Sequence, residues 1–291
     1  MSFQDNYTRY YNDFETALKQ YCDELHTQPT VLKESMTYSL LLGGKRIRPV
    51  LMLAVNEMLG GKRGDIMPYA IALEMIHTYT LIHDDLPGMD NDDYRRGNLS
   101  NHKKFGEGNA ILAGDALLNT AFEIVLKECL KGYNQVEAAR YLAHCAGING
   151  TIAGQSADLY FSEKEDYSQE DLEFIYTNKT GKLISAAILA ASILSEGKYM
   201  LELEQFSSVL GDLFQLTDDI LDSESTFEEL GKSIGKDAKQ NKLTAVKFYG
   251  LSECKVRADL LAAQCNQILE GIPKDTAFLH ELVDFVKNRR K

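Results

Sequence analysis

Ile71-Ala72-Leu73-Glu74-Met75-Ile76-His77-Thr78-Tyr79-Thr80-Leu81-Ile82 runs without a break into His83-Asp84-Asp85-Leu86-Pro87-Gly88-Met89-Asp90-Asn91-Asp92-Asp93-Tyr94-Arg95-Arg96-Gly97. The first part is an apolar helical stretch. The second packs five carboxylates and two arginines into the 13 positions from Asp84 to Arg96. Pro87 and Gly88 break the helix, so Asp84 and Asp85 fall where a buried helix ends and Asp90 turns back toward them. Like charges so crowded repel unless a cation or a salt-bridge network neutralises them. A solvated acidic turn capped by Arg95 and Arg96 would also neutralise them, and this stretch alone leaves both readings open.

A second acidic cluster shifts the balance. In Phe214-Gln215-Leu216-Thr217-Asp218-Asp219-Ile220-Leu221-Asp222, Asp218 and Asp222 are four apart on one helical face, behind the apolar positions Phe206, Val209, Leu210, Leu213 and Phe214. Two aspartate groups, each at the end of an otherwise buried helix, point to a cavity in a helical bundle where oxygen ligands hold hard divalent ions. Mg²⁺ suits this donor set, because it takes a few carboxylates and keeps its other positions for water and phosphate oxygens.

The rest of the chain fits a helical bundle. Apolar residues recur at helical spacing almost throughout, and breaks at Gly43-Gly44, Gly60-Gly61, Pro87-Gly88, Gly106-Glu107-Gly108, Gly147, Gly231 to Gly235 and Gly271-Ile272-Pro273 leave room for about ten helices. With 291 residues, 44% hydrophobic and 25% charged, and no long polar gap or internal repeat, the expectation is one all-α domain. The longest uncharged apolar run, Leu183 to Ser195, is too short to span a bilayer and reads as a helix packed on all sides. Five cysteines, an odd number with no close Cys-x-x-Cys pair, indicate neither a disulfide framework nor a zinc ribbon; a reducing cytoplasm is the expected compartment. The formal charge of −12 argues against nucleic acid or anionic lipid as a partner, so an anionic substrate must be held locally.

Local means are present. Gly43-Gly44-Lys45-Arg46-Ile47-Arg48-Pro49 sets three cations after a diglycine, Gly231-Lys232-Ser233-Ile234-Gly235-Lys236 with Lys239 and Lys242 repeats the pattern, and Lys179 and Lys182 interrupt an apolar neighbourhood. Arginine forks and lysine point charges both suit phosphate oxygens, although each patch taken singly also reads as a solvated surface.

Together, Asp84-Asp85 with Asp90, Asp218-Asp219 with Asp222, the Gly43 to Pro49 segment, Asp93-Tyr94-Arg95-Arg96-Gly97, Lys179-Thr180-Gly181 and Phe214-Gln215 resemble the trans-isoprenyl diphosphate synthases. The order is preserved from about Leu42 to Lys242. The first motif carries two extra residues, with Pro87 and Gly88 in the widened gap, and so looks like the bacterial farnesyl diphosphate synthases. The resemblance implies an all-α bundle of about ten or more helices around a deep central cavity, a single polyprenyl synthase domain over residues 1–291, and a homodimer.

It also implies a reaction in which isopentenyl diphosphate attacks the cation left when an allylic diphosphate ionises, with three Mg²⁺ ions, or Mn²⁺ in their place. Asp84, Asp90 and Asp218 would be metal ligands, with Asp85 and Asp222 as further ligands or orienters. Arg95, Lys179, Gln215 and Lys232 would hold the allylic diphosphate, with Lys236 and Lys242 as alternatives in that loop. Lys45, Arg48, His77 and Arg96 would hold isopentenyl diphosphate. The Thr180 carbonyl and the Gln215 side-chain oxygen would face the cation, and the departing diphosphate would take the proton. His77 lies seven residues before Asp84, nearly on the same helical face, and a satisfied core histidine is its alternative. Tyr79 and its neighbour Thr80 would set chain length: an aromatic five residues before Asp84 stops growth at fifteen carbons in this family, although Tyr79 lies well around the helix from Asp84. A geranylgeranyl diphosphate synthase and a non-catalytic synthase subunit are the rival readings. The basic C-terminus reads either as a flap over the isopentenyl site or as a frayed tail.

Overall fold

In a computed structural model that describes residues 2–162, 164, 167–224 and 243–289, the chain is an α-helical bundle. Fourteen α-helices are present among these residues. The main ones are α1 (Phe3–Glu24), α2 (Thr30–Leu40), α3 (Ile47–Met58), α4 (Arg63–Asp84), α6 (Glu107–Glu128), α8 (Thr151–Ser162), α10 (Lys182–Leu194), α11 (Met200–Glu224) and α14 (Ala277–Lys287), of which α3, α4, α8 and α11 contribute side chains to the central cavity. The buried apolar side chains form one contiguous core. Beside the expected helices, the described residues include a short antiparallel hairpin that pairs Tyr94–Arg95 with Asn98–Leu99 at the end of the first acidic segment.

Helix ends fall where the sequence breaks require. Helix α4 stops at Asp84, and the chain doubles back so that the Asp90 N–H donates to the Asp84 carbonyl at 2.8 Å and the Asp92 N–H to the Asp85 carbonyl at 3.1 Å. The Leu183 to Ser195 run forms α10, buried along nearly its whole length. Residues Glu107–Lys131 are long and apolar enough to cross a membrane by length and composition, yet they pack on α4 and α2 and leave Leu112, Leu126 and Leu130 exposed.

Aromatic packing joins the two ends of the chain. Phe3 stacks on Phe278 and meets Phe285, which also contacts Tyr7, so α14 is held against α1. The Tyr7 hydroxyl donates to the Lys45 carbonyl. The same contact surface therefore positions the basic loop before α3 and the segment after α14.

That loop turns on Arg46, whose φ of 52° lies in the left-handed region. For a residue with a side chain this costs roughly 1–2 kcal/mol. Compensation comes from a guanidinium with no exposed surface, which donates to Glu15 at 2.5 Å, to Glu74 at 2.7 Å and to the Leu40 carbonyl at 2.6 Å. One side chain thus ties α1, α2 and α4 together. Removing it would leave the buried Glu74 carboxylate uncompensated, so Arg46→Ala is expected to lose about 3–5 kcal/mol of unfolding free energy in urea titration. Arg9→Ala, which breaks a half-exposed pair with Glu57, is expected to lose about 1 kcal/mol or less. Similar losses in the two variants would refute the distinction.

Candidate active site

A cavity of about 540 Å³ opens between the ends of α4 and α11, within the range of small-molecule sites. Among the described residues, seven cationic and five acidic side chains line it, so the wall is net positive in a chain whose net charge is −12.

The basic side is built by the Lys45 to Arg48 segment, Arg96 and Arg289. Arg96 reaches back to the Gly43 carbonyl. Arg48 lies 3.5 Å from His77 Nε2 and 5.7 Å from the Phe214 ring centre. Arg289 anchors the segment after α14: it stacks 3.9 Å from the Phe214 ring centre, donates to the Thr217 hydroxyl at 2.9 Å, and pairs with Asp218 at 2.9 Å. The C-terminal segment is docked on the site through residue 289, whereas Arg290 and Lys291 lie outside the described residues. Burial, and behind it the charge of Arg289, push the Lys45 ammonium down; burial is also the leading cause of lowered values at Arg48, Arg96 and Arg289. Arg48 and Arg289 each keep a buried Nε–H with no partner among the described residues. Strained cations with unused donors are what an anion relieves.

The cavity wall also includes part of a π-helical turn, Tyr176–Gly181, clamped by α8 and α11. Glycine is required on both flanks: a Cβ at Gly154 would stand 2.1 Å from the Lys179 nitrogen, and one at Gly211 would stand 2.9 Å from the Gly181 Cα. The turn aims Lys179 at Asp158 of α8, with which it forms an ion pair. Burial pushes the Lys179 value down, but the charges of Asp158, Asp84 and Asp90 outweigh it and leave the value raised, so the ammonium is fixed as a cation. Thr180 donates its hydroxyl to Gln215 Oε1 at 2.5 Å.

The aspartate pairs divide their work. Asp85 is 2% exposed and accepts from Arg95 Nε at 3.0 Å and from the same guanidinium's Nη2, so it orients Arg95, and Arg95 is committed to it. Asp219 is likewise buried and accepts from Tyr176, Ala245 and Gln215. Asp218 and Asp222 line the cavity, and Asp84 and Asp90 are close enough to act electrostatically on Lys179. No three acidic, histidine or cysteine side chains among the described residues form a ready metal cage. Carboxylates set apart around an oxygen-rich cavity fit Mg²⁺, which takes one or two carboxylates and completes its shell with water and phosphate oxygens.

The structure therefore gathers Lys45, Arg48, His77, Arg95, Arg96, Lys179, Thr180, Gln215, Asp218 and Asp222 around one cavity. Lys232 and Lys242, with Lys236, lie outside the described residues. Tyr79 and Thr80 are not in the cavity wall: Tyr79 is buried edge-on against His83, 5.8 Å between ring centres, and Thr80 donates to the His77 carbonyl at 2.8 Å. His83 in turn sits 3.1 Å from the Ile111 carbonyl of α6. Asp158, Tyr176 and Asp219 have places here that the sequence motifs did not assign. Asp158 is a lone acid on the helix that packs against the Lys179 turn, and that isolation was its only sequence signal.

The sequence profile of the polyprenyl synthetases matches residues 29–282. The chain is similar to the farnesyl diphosphate synthase of Micrococcus luteus, 41% identical over 280 residues that make up 95% of this chain and 94% of that one. It is also similar to the geranylgeranyl diphosphate synthase of Cyanophora paradoxa, 43% identical over 265 residues, 90% of this chain and 88% of that one. A crystal structure of a geranyltransferase from Helicobacter pylori complexed with magnesium and isoprenyl diphosphate superposes with a TM-score of 0.85 at 34% identity, covering 97% of this chain and 96% of that one.

His77 gives a pH test. Burial, reinforced by Arg48 and Arg96, holds its imidazole well below the ordinary 6.5. The unfolded chain therefore takes up a proton as the pH drops through about 6.5 while the folded chain does not, and folding stability falls with it. His77→Gln is expected to flatten the dependence of the melting temperature on pH between about 6.5 and 5. Equal slopes in both proteins would refute it.

Proposed function

The chain belongs to the polyprenyl synthetase family, and we propose that it condenses isopentenyl diphosphate with dimethylallyl or geranyl diphosphate to give farnesyl diphosphate. The observation that carries this reading is that one cavity holds both a basic side, from Lys45, Arg48, Arg96 and Arg289, and an acidic side, from Asp218 and Asp222, joined by the Arg289–Asp218 pair, together with Lys179, Thr180 and Gln215. A prenyl transfer needs both sides, one for the diphosphate that stays and one for the diphosphate that leaves.

The basic side holds isopentenyl diphosphate, whose oxygens take up the unused donors of Arg48 and Arg289. Lys179, kept protonated by Asp158, Asp84 and Asp90, holds the allylic diphosphate with Lys232 or a neighbouring lysine, while Gln215, whose NH₂ is taken by Asp219, turns an acceptor oxygen to the cavity instead. Asp84, Asp90, Asp218 and Asp222 would hold Mg²⁺, which would supply a Lewis acid for the leaving group. Thr180 and Gln215 present acceptor oxygens to the allylic fragment, and acceptor dipoles favour positive charge in a site that excludes water. No side-chain base is assigned; the departing diphosphate takes the proton.

Product length is the finer part of the reading. The widened first motif supports growth that ends at fifteen carbons, a reading in which Tyr79 would act although it is not in the present cavity wall, whereas the similarity to geranylgeranyl diphosphate synthases keeps a twenty-carbon product as the second reading. Both aspartate groups and the basic side are intact, which weighs against a non-catalytic subunit. A homodimer is also proposed, supported by the exposed apolar side chains of Leu112 and Leu126 on α6, of Leu130 in the turn after it, and of Tyr133 at the start of the next helix.

Purified protein with Mg²⁺, isopentenyl diphosphate and each allylic primer is expected to yield a fifteen-carbon diphosphate by mass spectrometry and none after chelation. Tyr79→Ala is expected to move the product to twenty carbons or more; an unchanged distribution removes Tyr79 from this role. Light scattering after gel filtration is expected to give about twice the 32.7 kDa of one chain, and a value near 32.7 kDa rules the dimer out.

A further inference from the structure

Asp219 belongs to the second aspartate group, yet it sits 5% exposed while its neighbour Asp218 is half-exposed and paired with Arg289. Successive residues on a helix point about 100° apart, so the two carboxylates cannot serve the same ligand in the same way. Its Oδ2 accepts from the Ala245 backbone N–H at 2.6 Å and from the Tyr176 hydroxyl. Its Oδ1 accepts from Gln215 Nε2 at 3.0 Å. Gln215 Oε1 then accepts from the Thr180 hydroxyl at 2.5 Å and keeps a second lone pair.

This network removes an ambiguity that an amide otherwise has. A carboxylate only accepts, so the Gln215 amide has one allowed orientation, with its NH₂ on Asp219 and its oxygen on the Thr180 side. We propose that Asp219 is a positioning residue for the ionisation step, fixing the Gln215 amide so that its oxygen and not its NH₂ serves the cavity. This rests on the prenyl-transfer reading above and adds to it. The oxygen end of the amide dipole stabilises positive charge as it develops, and the reversed amide would oppose it. The Ala245 N–H bond links that orientation to the backbone beside Leu243 and Thr244, which line the cavity.

Asp219→Asn tests the proposal, because the Ala245 N–H cannot accept and therefore keeps the asparagine oxygen in the Oδ2 place. The asparagine NH₂ then faces the Gln215 NH₂, donor against donor, and Gln215 turns over. The expected result is a kcat lowered roughly tenfold or more, with KM for both diphosphates changed by no more than about twofold. Adding Gln215→Glu to Asp219→Asn returns an acceptor to position 215 and is expected to bring kcat back to within about tenfold of the original protein, although Gln215→Glu alone sets two carboxylates face to face and lowers it. Circular dichroism establishes that each variant is folded at the assay temperature. If Asp219→Asn does not fold, the double variant decides, being expected folded and active; a folded but inactive double variant overturns the proposal. So does an unchanged kcat in Asp219→Asn. Failure of the unsubstituted protein to condense any primer would instead overturn the prenyl-transfer reading.

Discussion

A guanidinium with no contact with water fixes the geometry of the whole basic side. Arg46 reaches Glu15 on α1, Glu74 on α4 and the last carbonyl of α2, so three helices meet at one planar group. Burying such a charge is costly unless every donor finds a partner in good geometry, and here the geometry exists only if the three helices are correctly placed. Lys45 and Arg48, one and two residues away, inherit that placement. Their charges are thereby held close to Arg96 and Arg289 in the cavity wall.

Both aspartate groups obey a single geometric rule. Adjacent residues near a helix end cannot both face one opening, so each pair splits into an inward and an outward member. Asp85 turns in and takes Arg95; Asp219 turns in and takes Tyr176, Ala245 and Gln215. Asp218 and Asp222, four apart, share the face toward the cavity, and Asp84 and Asp90 act on the Lys179 ammonium. A motif that reads as a string of equivalent carboxylates is therefore a set of less buried charges braced by buried ones, and of the two groups only the second, through Asp218 and Asp222, contributes its outward members to the cavity wall.

Much of this was legible in the sequence because its signals are local. Helical periodicity marks α4, α10 and α11, the Pro87-Gly88 break predicts the return of Asp90 toward Asp84, and the diglycine before Lys45 marks the basic loop. What was not legible depends on contacts far apart in the chain. Asp158 and Lys179 are 21 residues apart on different helices, and no spacing rule joins them. Arg289 reaches Asp218 because Phe3 and Tyr7 hold α14 in place, a contact between opposite ends of the chain. Arg46 looked like one of three equivalent cations, and only its left-handed backbone and buried fork separate it from Lys45 and Arg48. The π-helical turn has no signature beyond the polar interruption Asn178 to Gly181.

The close approach of Gly154 and Gly211 to that turn has a consequence for motion. With a bare backbone pressed against it from either side, the segment carrying Lys179 and Thr180 has almost no room to swing. Its amides and its ammonium are oriented when the chain folds rather than when a reactant arrives. The reorganisation energy that water would contribute to a charge-separating reaction is thereby shifted into the folding free energy, and two hydrogen atoms in place of side chains are what allow it.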